Sequence, residues 1–291
     1  MHTRNNIGFG CAGLSAQPFE KTALKLLQVA FDEGIKHFDT APIYGQGYSE
    51  KILGKFLKEH RNDVTVTTKF GLSTGSSRNI PVWLALPLNQ LKKKAAKKTT
   101  TKKAFHSPGL LTYRKIEIGE VRTAFEKSIR NLRTDYIDYY LLHEGLPDFL
   151  TQEAFDYILS LKQKGYVKKI GIATAYTNFI DIGPHAISRW DILQYENSIL
   201  HPSESLINRF PDKNHFYHSV LKPLAYQQFP SSLKKELPGI LLLKAIKNNP
   251  LGITLFSTSR FSNIKNNLKT IDVYNSYSLE ALNDIVLNAV H

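Results

Sequence analysis

The feature that most constrains the fold is an alternation of two sequence patterns along nearly the whole chain. Short apolar or β-branched runs, typical of buried strands, begin near residues 7, 35, 64, 136, 169, 192, 218 and 252. The segments between them carry apolar residues at helical spacing, as in Ala23, Leu26, Leu27, Ala30 and Phe31. Eight strand–helix units in 291 residues predict a closed parallel (β/α)8 barrel, the TIM barrel, as a single domain over residues 1–291.

One interval between predicted strands is more than twice as long as the others and predicts an inserted loop over residues 75–116, after the third strand. Its Lys/Ala/Thr-rich tract at residues 92–103 is typical of a solvated, partly disordered loop. The alternative is a basic amphipathic surface. The loop leaves the third strand at the rim where barrel chemistry occurs, so it is also a candidate cover for a substrate site.

From Ser278 onward the sequence predicts a C-terminal helix.

The charge of the chain and its hydrophobic pattern bear on two classes of protein, those that bind nucleic acid and those that span a membrane. The net charge is +13, with 38 Lys and Arg against 25 Asp and Glu. Most of this excess lies between residues 64 and 116, which hold no acidic residue. Since a nucleic-acid surface spreads Lys and Arg over a folded face, this distribution argues against nucleic acid as a partner. No apolar run approaches the roughly 20 residues that cross a membrane.

The N-terminal residues and the cysteine content indicate a compartment. The N-terminus lacks the charged-then-apolar pattern of a leader, and Cys11 as the sole cysteine cannot form an internal disulfide or a thiolate metal site. We therefore expect a cytoplasmic protein. No spacing of metal ligands is apparent, so no metal is expected.

A competing fold is written into the first residues. Gly8, Gly10 and Gly13 spell the dinucleotide-binding pattern G-x-G-x-x-G, and a later predicted strand ends in Asp39. That motif requires the helix to open at the glycines so that its N-terminus faces the pyrophosphate, but residues 14–18 intervene. A tight turn beside the first barrel strand is the favoured interpretation.

Reactive side chains recur where predicted strands end. They are Asp39 and Tyr44 after the second strand, Lys69 after the third, His143 after the fourth and Gln194 on the sixth. Because the carboxyl ends of barrel strands meet at one rim, we expect these side chains to share one pocket.

The residue types indicate proton transfer. A phenol with a pKa near ~10 is a weak acid, and the ammonium of Lys69 is expected to lower the pKa of Tyr44. Asp39 can hold Lys69, while His143 can donate a hydrogen bond to a substrate oxygen. Without an activated nucleophile or a metal pattern, this set suits carbonyl reduction or alcohol oxidation with an organic hydride carrier.

Several stretches of the chain are recognisable: HFDTAPIYGQGYSEKILGKFL, VTTKFG, VRTAFEKSIRNLRTDYIDYYLLH, KKIGIAT, LQYENS, KPLA and SRFSNIKNNL. On these the chain resembles the aldo-keto reductases, NAD(P)-dependent (β/α)8 oxidoreductases. The resemblance implies a catalytic tetrad of Asp39, Tyr44, Lys69 and His143, with Tyr44 donating the proton. It also implies a small aldehyde, ketone or sugar as the substrate.

The departures from the family pattern fall in the cofactor site. Ala173 and Thr174 stand where the family has Ser-Asn to bind the nicotinamide carboxamide, which leaves Gln194 as the matching ligand. Leu221, in LKPL, stands where the family stacks an aromatic ring before Ser-Pro-Leu.

The last loop is expected to hold the rest of the cofactor. The resemblance assigns it Ser257, Ser259, Arg260, Asn263 and Asn267, of which Asn267 matches the adenine-binding position. Arg260 or Lys265 is available for a 2′-phosphate, so NADP(H) is the expected cofactor and NAD(H) the alternative. A second hypothesis on the same fold is a non-catalytic, cofactor-binding interaction or regulatory protein that docks an acidic partner through the Lys-rich loop.

Overall fold

The computed structural model describes residues 3–72, 115–199, 202–225, 230 and 233–290. Eight parallel strands close into a barrel in chain order, with the first strand paired to the last. The strands are β1 Ile7–Gly10, β2 His37–Asp39, β3 Thr65–Phe70, β4 Ile137–His143, β5 Val167–Ala173, β6 Ile192–Glu196, β7 Asn214–His218 and β8 Ile253–Phe256. The predicted (β/α)8 fold is confirmed.

Helices of very different lengths follow these strands in the described residues. They are α1 Glu20–Asp32, α2 Tyr48–His60, α3 Ile118–Leu132, α4 Gln152–Gln163, α5 Tyr176–Asp181, α6 Pro184–Ile187, α7 Ser205–Arg209, α8 Leu237–Asn248, α9 Phe261–Tyr274 and α10 Leu279–Val290. The last of these is the predicted C-terminal helix. Among the described residues, no helix combines the length and the hydrophobicity that a membrane span requires. The predicted insertion lies outside the described residues except for Lys115 and Ile116.

The first helix illustrates how the sequence specifies these elements. Ala23, Leu26, Leu27 and Ala30 form its buried stripe against the barrel. The helix stops before Gly34, whose φ of +94° is in the left-handed region that glycine adopts without a steric cost. The same arrangement of strand, buried helical stripe and short loop builds most of the barrel wall.

The inside of the barrel is aromatic and polar rather than purely aliphatic. The ring of His37 packs against Tyr139 and Phe216. Its Nδ1 and Nε2 lie 2.9 Å from the hydroxyl of Thr65 and 3.2 Å from that of Thr67. Both ring nitrogens of this buried side chain therefore have a partner.

Two details differ from the sequence-based expectations. The seventh strand ends at His218, where it was expected to begin. His215 is polar and so does not look like a strand residue in the sequence, but its ring is buried and hydrogen-bonded to the Tyr195 hydroxyl and the Phe210 carbonyl. The dinucleotide-fold alternative is wrong, since the sheet closes into a barrel and a 3-10 helix at Cys11–Ala16 separates Gly10, on β1, from the first α-helix at Glu20. A Cβ on Gly8 would lie 2.6 Å from Leu255, so this glycine serves packing inside the barrel.

Candidate active site

The five side chains singled out at the strand ends line one cavity of about 440 Å³ at the carboxyl rim of the barrel. Asp39 ends β2, Lys69 lies near the end of β3, His143 ends β4 and Gln194 lies on β6, while Tyr44 follows β2. Their convergence follows from parallel strands that all point to the same rim.

Lys69 and Asp39 form the buried charged centre of this cavity. The Lys69 ammonium donates to Asp39 Oδ1 at 2.6 Å and to the carbonyl of Thr40 at 3.0 Å. Burial lowers the pKa of Lys69, but the charge of Asp39 and the hydrogen bond to it have the larger, opposite effect, so the net pKa lies above the ordinary value. Lys69 therefore stays a cation inside the barrel.

Tyr44 is presented by an unusual piece of backbone. The three residues after it, Gly45, Gln46 and Gly47, all have positive φ, at 60°, 56° and 88°, before α2 begins. A Cβ on Gly45 would lie 2.6 Å from the side chain of Ser15, so a larger residue does not fit there. The turn holds the phenol ring with its centroid 5.3 Å from the Lys69 ammonium.

The protonation state of Tyr44 corrects one expectation. Burial raises the pKa of the phenol more than the charge of Lys69 lowers it, so the net pKa is above the ordinary value. The expected influence of Lys69 is present, but it is the smaller effect. At neutral pH the phenol carries its proton and is available as a donor.

His143 faces the phenol from β4. Its ring centroid lies 6.1 Å from that of Tyr44, with the rings edge to face at 87°. Burial, aided by the charges of Lys69 and His218, holds the pKa of His143 well below its ordinary value. The imidazole is therefore neutral and can donate one hydrogen bond to a substrate oxygen.

The residues expected to hold a nicotinamide carboxamide are not all brought to the cavity. Ala173 lines it with a methyl group. Thr174 is buried outside the cavity lining, and its hydroxyl accepts a hydrogen bond from Asn178 at 2.7 Å. Gln194 lines the cavity, but its amide nitrogen donates to Asp39 Oδ2 at 2.8 Å.

The last loop extends from the cavity to the N-terminus of α9. Leu221 and Ser257 line the cavity. Ser259 and Arg260 are exposed farther along, and the exposed Asn263 donates to the hydroxyl of Thr258 at 3.1 Å. Asn267, nearly two turns inside α9, is buried. Of this set, Leu221 and Ser257 line the cavity and the others lie outside its lining.

Sequence reasoning missed His218. It ends β7 and lines the cavity, with Nδ1 2.8 Å from the Ser219 hydroxyl. Burial chiefly lowers its pKa to about 4, so this ring is neutral as well. The signal is present in the sequence, since His218 precedes Ser219, Val220 and Leu221 much as the family aromatic precedes Ser-Pro-Leu, whereas alignment through LKPL puts Leu221 at that position.

Other side chains frame the opening. Glu144 lines the cavity directly after His143 and has a φ of +52°, a strained conformation of the kind concentrated at functional sites. Lys222, also in the lining, is paired with Glu196 at 2.9 Å. Within the described ranges no group of three or more His, Cys, Asp or Glu side chains could hold a metal ion.

Comparison with known proteins gives a match to a family model and to curated relatives. The model of the Aldo/keto reductase family matches residues 6–216. D-threo-aldose 1-dehydrogenase of a Pseudomonas species is 32% identical over 178 residues, covering 58% of this chain and 49% of that protein. The chain spans about half the length of the curated relatives it matches.

Solved structures extend the likeness to nearly the whole barrel. An aldo-keto reductase from Bacillus halodurans, in its holo form, gives a TM-score of 0.67 at 21% identity, covering 98% of this chain and 92% of that one. The Bombyx mori aldo-keto reductase in complex with NADP gives 0.65 at 19% identity, covering 96% and 87%. At these identities the likeness is one of fold.

Proposed function

Because the chain belongs to the aldo/keto reductase family, we propose that it interconverts a small aldehyde, ketone or sugar and its alcohol by hydride transfer, with Tyr44 as the proton donor. The observation that carries this proposal is the protonated phenol beside a buried ammonium and a neutral imidazole, all lining one cavity.

In the reduction direction the carbonyl oxygen of the substrate accepts hydrogen bonds from the Tyr44 hydroxyl and from His143. These bonds polarise the carbonyl and stabilise the negative charge that develops on its oxygen. A nicotinamide cofactor, when bound, would supply the hydride for the carbonyl carbon. Tyr44 gives its proton to the oxygen, which completes the alcohol and leaves a phenolate.

Lys69 and Asp39 make that proton transfer feasible. The fixed ammonium stabilises the phenolate as it forms, and Asp39 keeps Lys69 charged despite its burial. Since the donors are already in place, little reorganisation is needed when charge develops. In the oxidation direction the same groups act in reverse, with the phenolate accepting the alcohol proton.

The residues present suit a nicotinamide cofactor, with the imidazole of His218 in the role of the aromatic ring that the family stacks on the nicotinamide. The cavity continues from the tetrad to the last loop, so one elongated ligand can reach both. We assign the nicotinamide end to Ala173, His218 and Leu221, with the imidazole of His218 as the planar contact. The adenosine end is assigned to the loop residues Ser257, Ser259, Arg260, Asn263 and Asn267.

NADP(H) is the proposed cofactor, with NAD(H) as the alternative. Arg260 and Lys265 are exposed beside the N-terminus of the 14-residue helix α9, and both the cations and the helix terminus favour a phosphate group. The Bombyx mori relative is in complex with NADP, which supports the same preference here.

The deciding experiment measures binding and turnover together. Fluorescence titration with NADPH and with NADH is followed by a panel of aldehydes, ketones and sugars, with oxidation of the bound cofactor as the readout. We expect tighter binding of NADPH and turnover of at least one carbonyl class. Binding without any turnover, in either direction, would favour the regulatory alternative, which the altered residues Ala173 and Thr174 leave open.

A further inference from the structure

The amide of Gln194 and the ammonium of Lys69 hold the two oxygens of the same carboxylate. Gln194 Nε2 donates to Asp39 Oδ2 at 2.8 Å, and Lys69 Nζ donates to Asp39 Oδ1 at 2.6 Å. We propose that Gln194 is a positioning residue for proton transfer, fixing Asp39 and through it Lys69 against Tyr44. This inference rests on the proposed function and adds a residue to its machinery.

The bond crosses the barrel, which makes it a tether rather than a local contact. Gln194 lies on β6 and Asp39 on β2, and these strands are not neighbours in the closed sheet. Both residues are buried, at 2% and 4% exposure. An ionised carboxylate only accepts hydrogen bonds, so the amide must turn its NH2 group toward Asp39. The orientation of Gln194 is thereby determined by Asp39.

The donors of Lys69 complete the arrangement. An ammonium has three N–H groups. Lys69 directs two of them to Asp39 and to the Thr40 carbonyl, and its nitrogen lies 5.3 Å from the centroid of the Tyr44 ring. If Asp39 rotated, Lys69 would lose a partner and the distance between its charge and the phenol would change. A second anchor on the other oxygen of Asp39 prevents that rotation.

The choice of a neutral amide also has an electrostatic consequence. A cation at position 194 would compete with Lys69 for the charge of Asp39, whereas an amide leaves that charge to act on its neighbours. The charge of Asp39 raises the pKa of both Lys69 and Tyr44. A change that lets Asp39 move away from Lys69 and Tyr44 should therefore lower the pH at which the Lys69–Tyr44 pair first loses a proton.

Gln194→Met tests the tether because it keeps the side-chain length and removes the amide. We expect the turnover number for carbonyl reduction to fall roughly 10- to 100-fold, the worth of a hydrogen bond to a charged group. The basic limb of its pH profile should move to lower pH, because reduction needs the protonated pair. The dissociation constant for NADPH, from fluorescence titration, should change less than about twofold.

Gln194→Glu should shift the basic limb of the pH profile in the opposite direction. It also keeps the test decisive if Gln194→Met does not fold. In the alkaline range a carboxylate at this position is ionised and raises the pKa of the Lys69–Tyr44 pair. The basic limb should then move to higher pH. Limbs that stay in place in both variants, with weaker NADPH binding, would overturn the proposal and make Gln194 a cofactor contact.

A double-mutant cycle tests whether Gln194 acts through Asp39. In an Asp39→Asn background Gln194→Met should add little to the loss of turnover, whereas additive losses would contradict the tether. The titration of Tyr44, followed by carbon-13 tyrosine NMR and assigned with Tyr44→Phe, reports the same coupling without any turnover. If no substrate is found, the proposed function fails, and the NMR titration still decides whether Gln194 positions the group.

Discussion

The Lys69 ammonium and the Asp39 carboxylate meet 2.6 Å apart inside the barrel, with side-chain exposures of only 2% and 6%. The pair joins the ends of β3 and β2, which are neighbouring strands. Removing two charges from water is costly, and their mutual attraction offsets that cost only while both partners are present. The pair therefore couples the stability of the barrel to the chemistry at its rim.

Lys69→Met should lower both turnover and stability. The variant leaves the Asp39 charge buried without its cation, so we expect the free energy of unfolding to fall by about 3 kcal/mol. Urea denaturation at neutral pH measures this. Adding Asp39→Asn should recover part of the stability but none of the turnover. A Lys69→Met protein as stable as the parent would show that the pair is not what holds these strands at the rim.

Glu50 predicts a second, purely structural dependence. This fully buried carboxylate accepts hydrogen bonds from Thr68, Ser128 and Asn131, at 2.8, 2.7 and 2.9 Å. Glu50→Gln turns an amide NH2 toward a donor, so the free energy of unfolding should fall by about 2 kcal/mol.

The matched control for that variant is Glu59→Gln, on the exposed side of the same helix. It should change the unfolding free energy by less than about 0.5 kcal/mol. Equal urea midpoints for the Glu50 and Glu59 variants would mean that the three bonds to Glu50 add nothing to stability.

His37 predicts how stability depends on pH. Burial chiefly lowers its pKa to about 4 in the fold, against 6.5 ordinarily. The unfolded chain therefore binds the proton first as pH falls. The contribution of His37 is complete above pH 6.5 and is lost as the pH falls toward 4, by up to about 3 kcal/mol.

Comparison with a variant isolates this group, because other buried histidines titrate too. His37→Gln can still bond to Thr65 and Thr67 but cannot be protonated. Its unfolding free energy, measured by urea at a series of pH values, should fall less steeply between pH 6.5 and 4 than that of the parent. Parallel curves would contradict the assignment.

Arg260 predicts cofactor preference. Its exposed side chain stands at the start of α9, where a 2′-phosphate would find a cation and a helix N-terminus. Arg260→Gln should raise the dissociation constant for NADPH about three- to tenfold, the size expected of an exposed charge pair. NADH lacks this phosphate, so its dissociation constant is the internal control. A parallel loss for both cofactors would assign Arg260 another role.

The barrel could be predicted because its sequence pattern recurs in every strand–helix unit along the chain. The alternation of strands and helices survives an error in any one unit, as β7 demonstrates, since its displaced start left the order of elements intact. The register within β7 was not predictable in the same way. His215 and His218 are polar, and only tertiary packing against Tyr195 and the cavity explains why they lie in a strand.

For the candidate site, the sequence predicted which side chains lie in one cavity but not which groups they are hydrogen-bonded to. The strand-end rule brought Asp39, Tyr44 and Lys69 into one cavity because it depends only on topology. The direction of the pKa shift of Tyr44 depends on how deeply the phenol is buried, which no local pattern records. The bond from Gln194 to Asp39 likewise joins residues 155 positions apart.

The turnover of Tyr44→Phe tests the central claim most directly, measured with the dissociation constant for NADPH on the same preparation. The change removes the proposed proton donor and little else. We predict that the turnover number falls by about 100- to 10,000-fold while NADPH binds within about twofold of the parent. Turnover equal to that of the parent protein would contradict the account, because the proton would then come from another group.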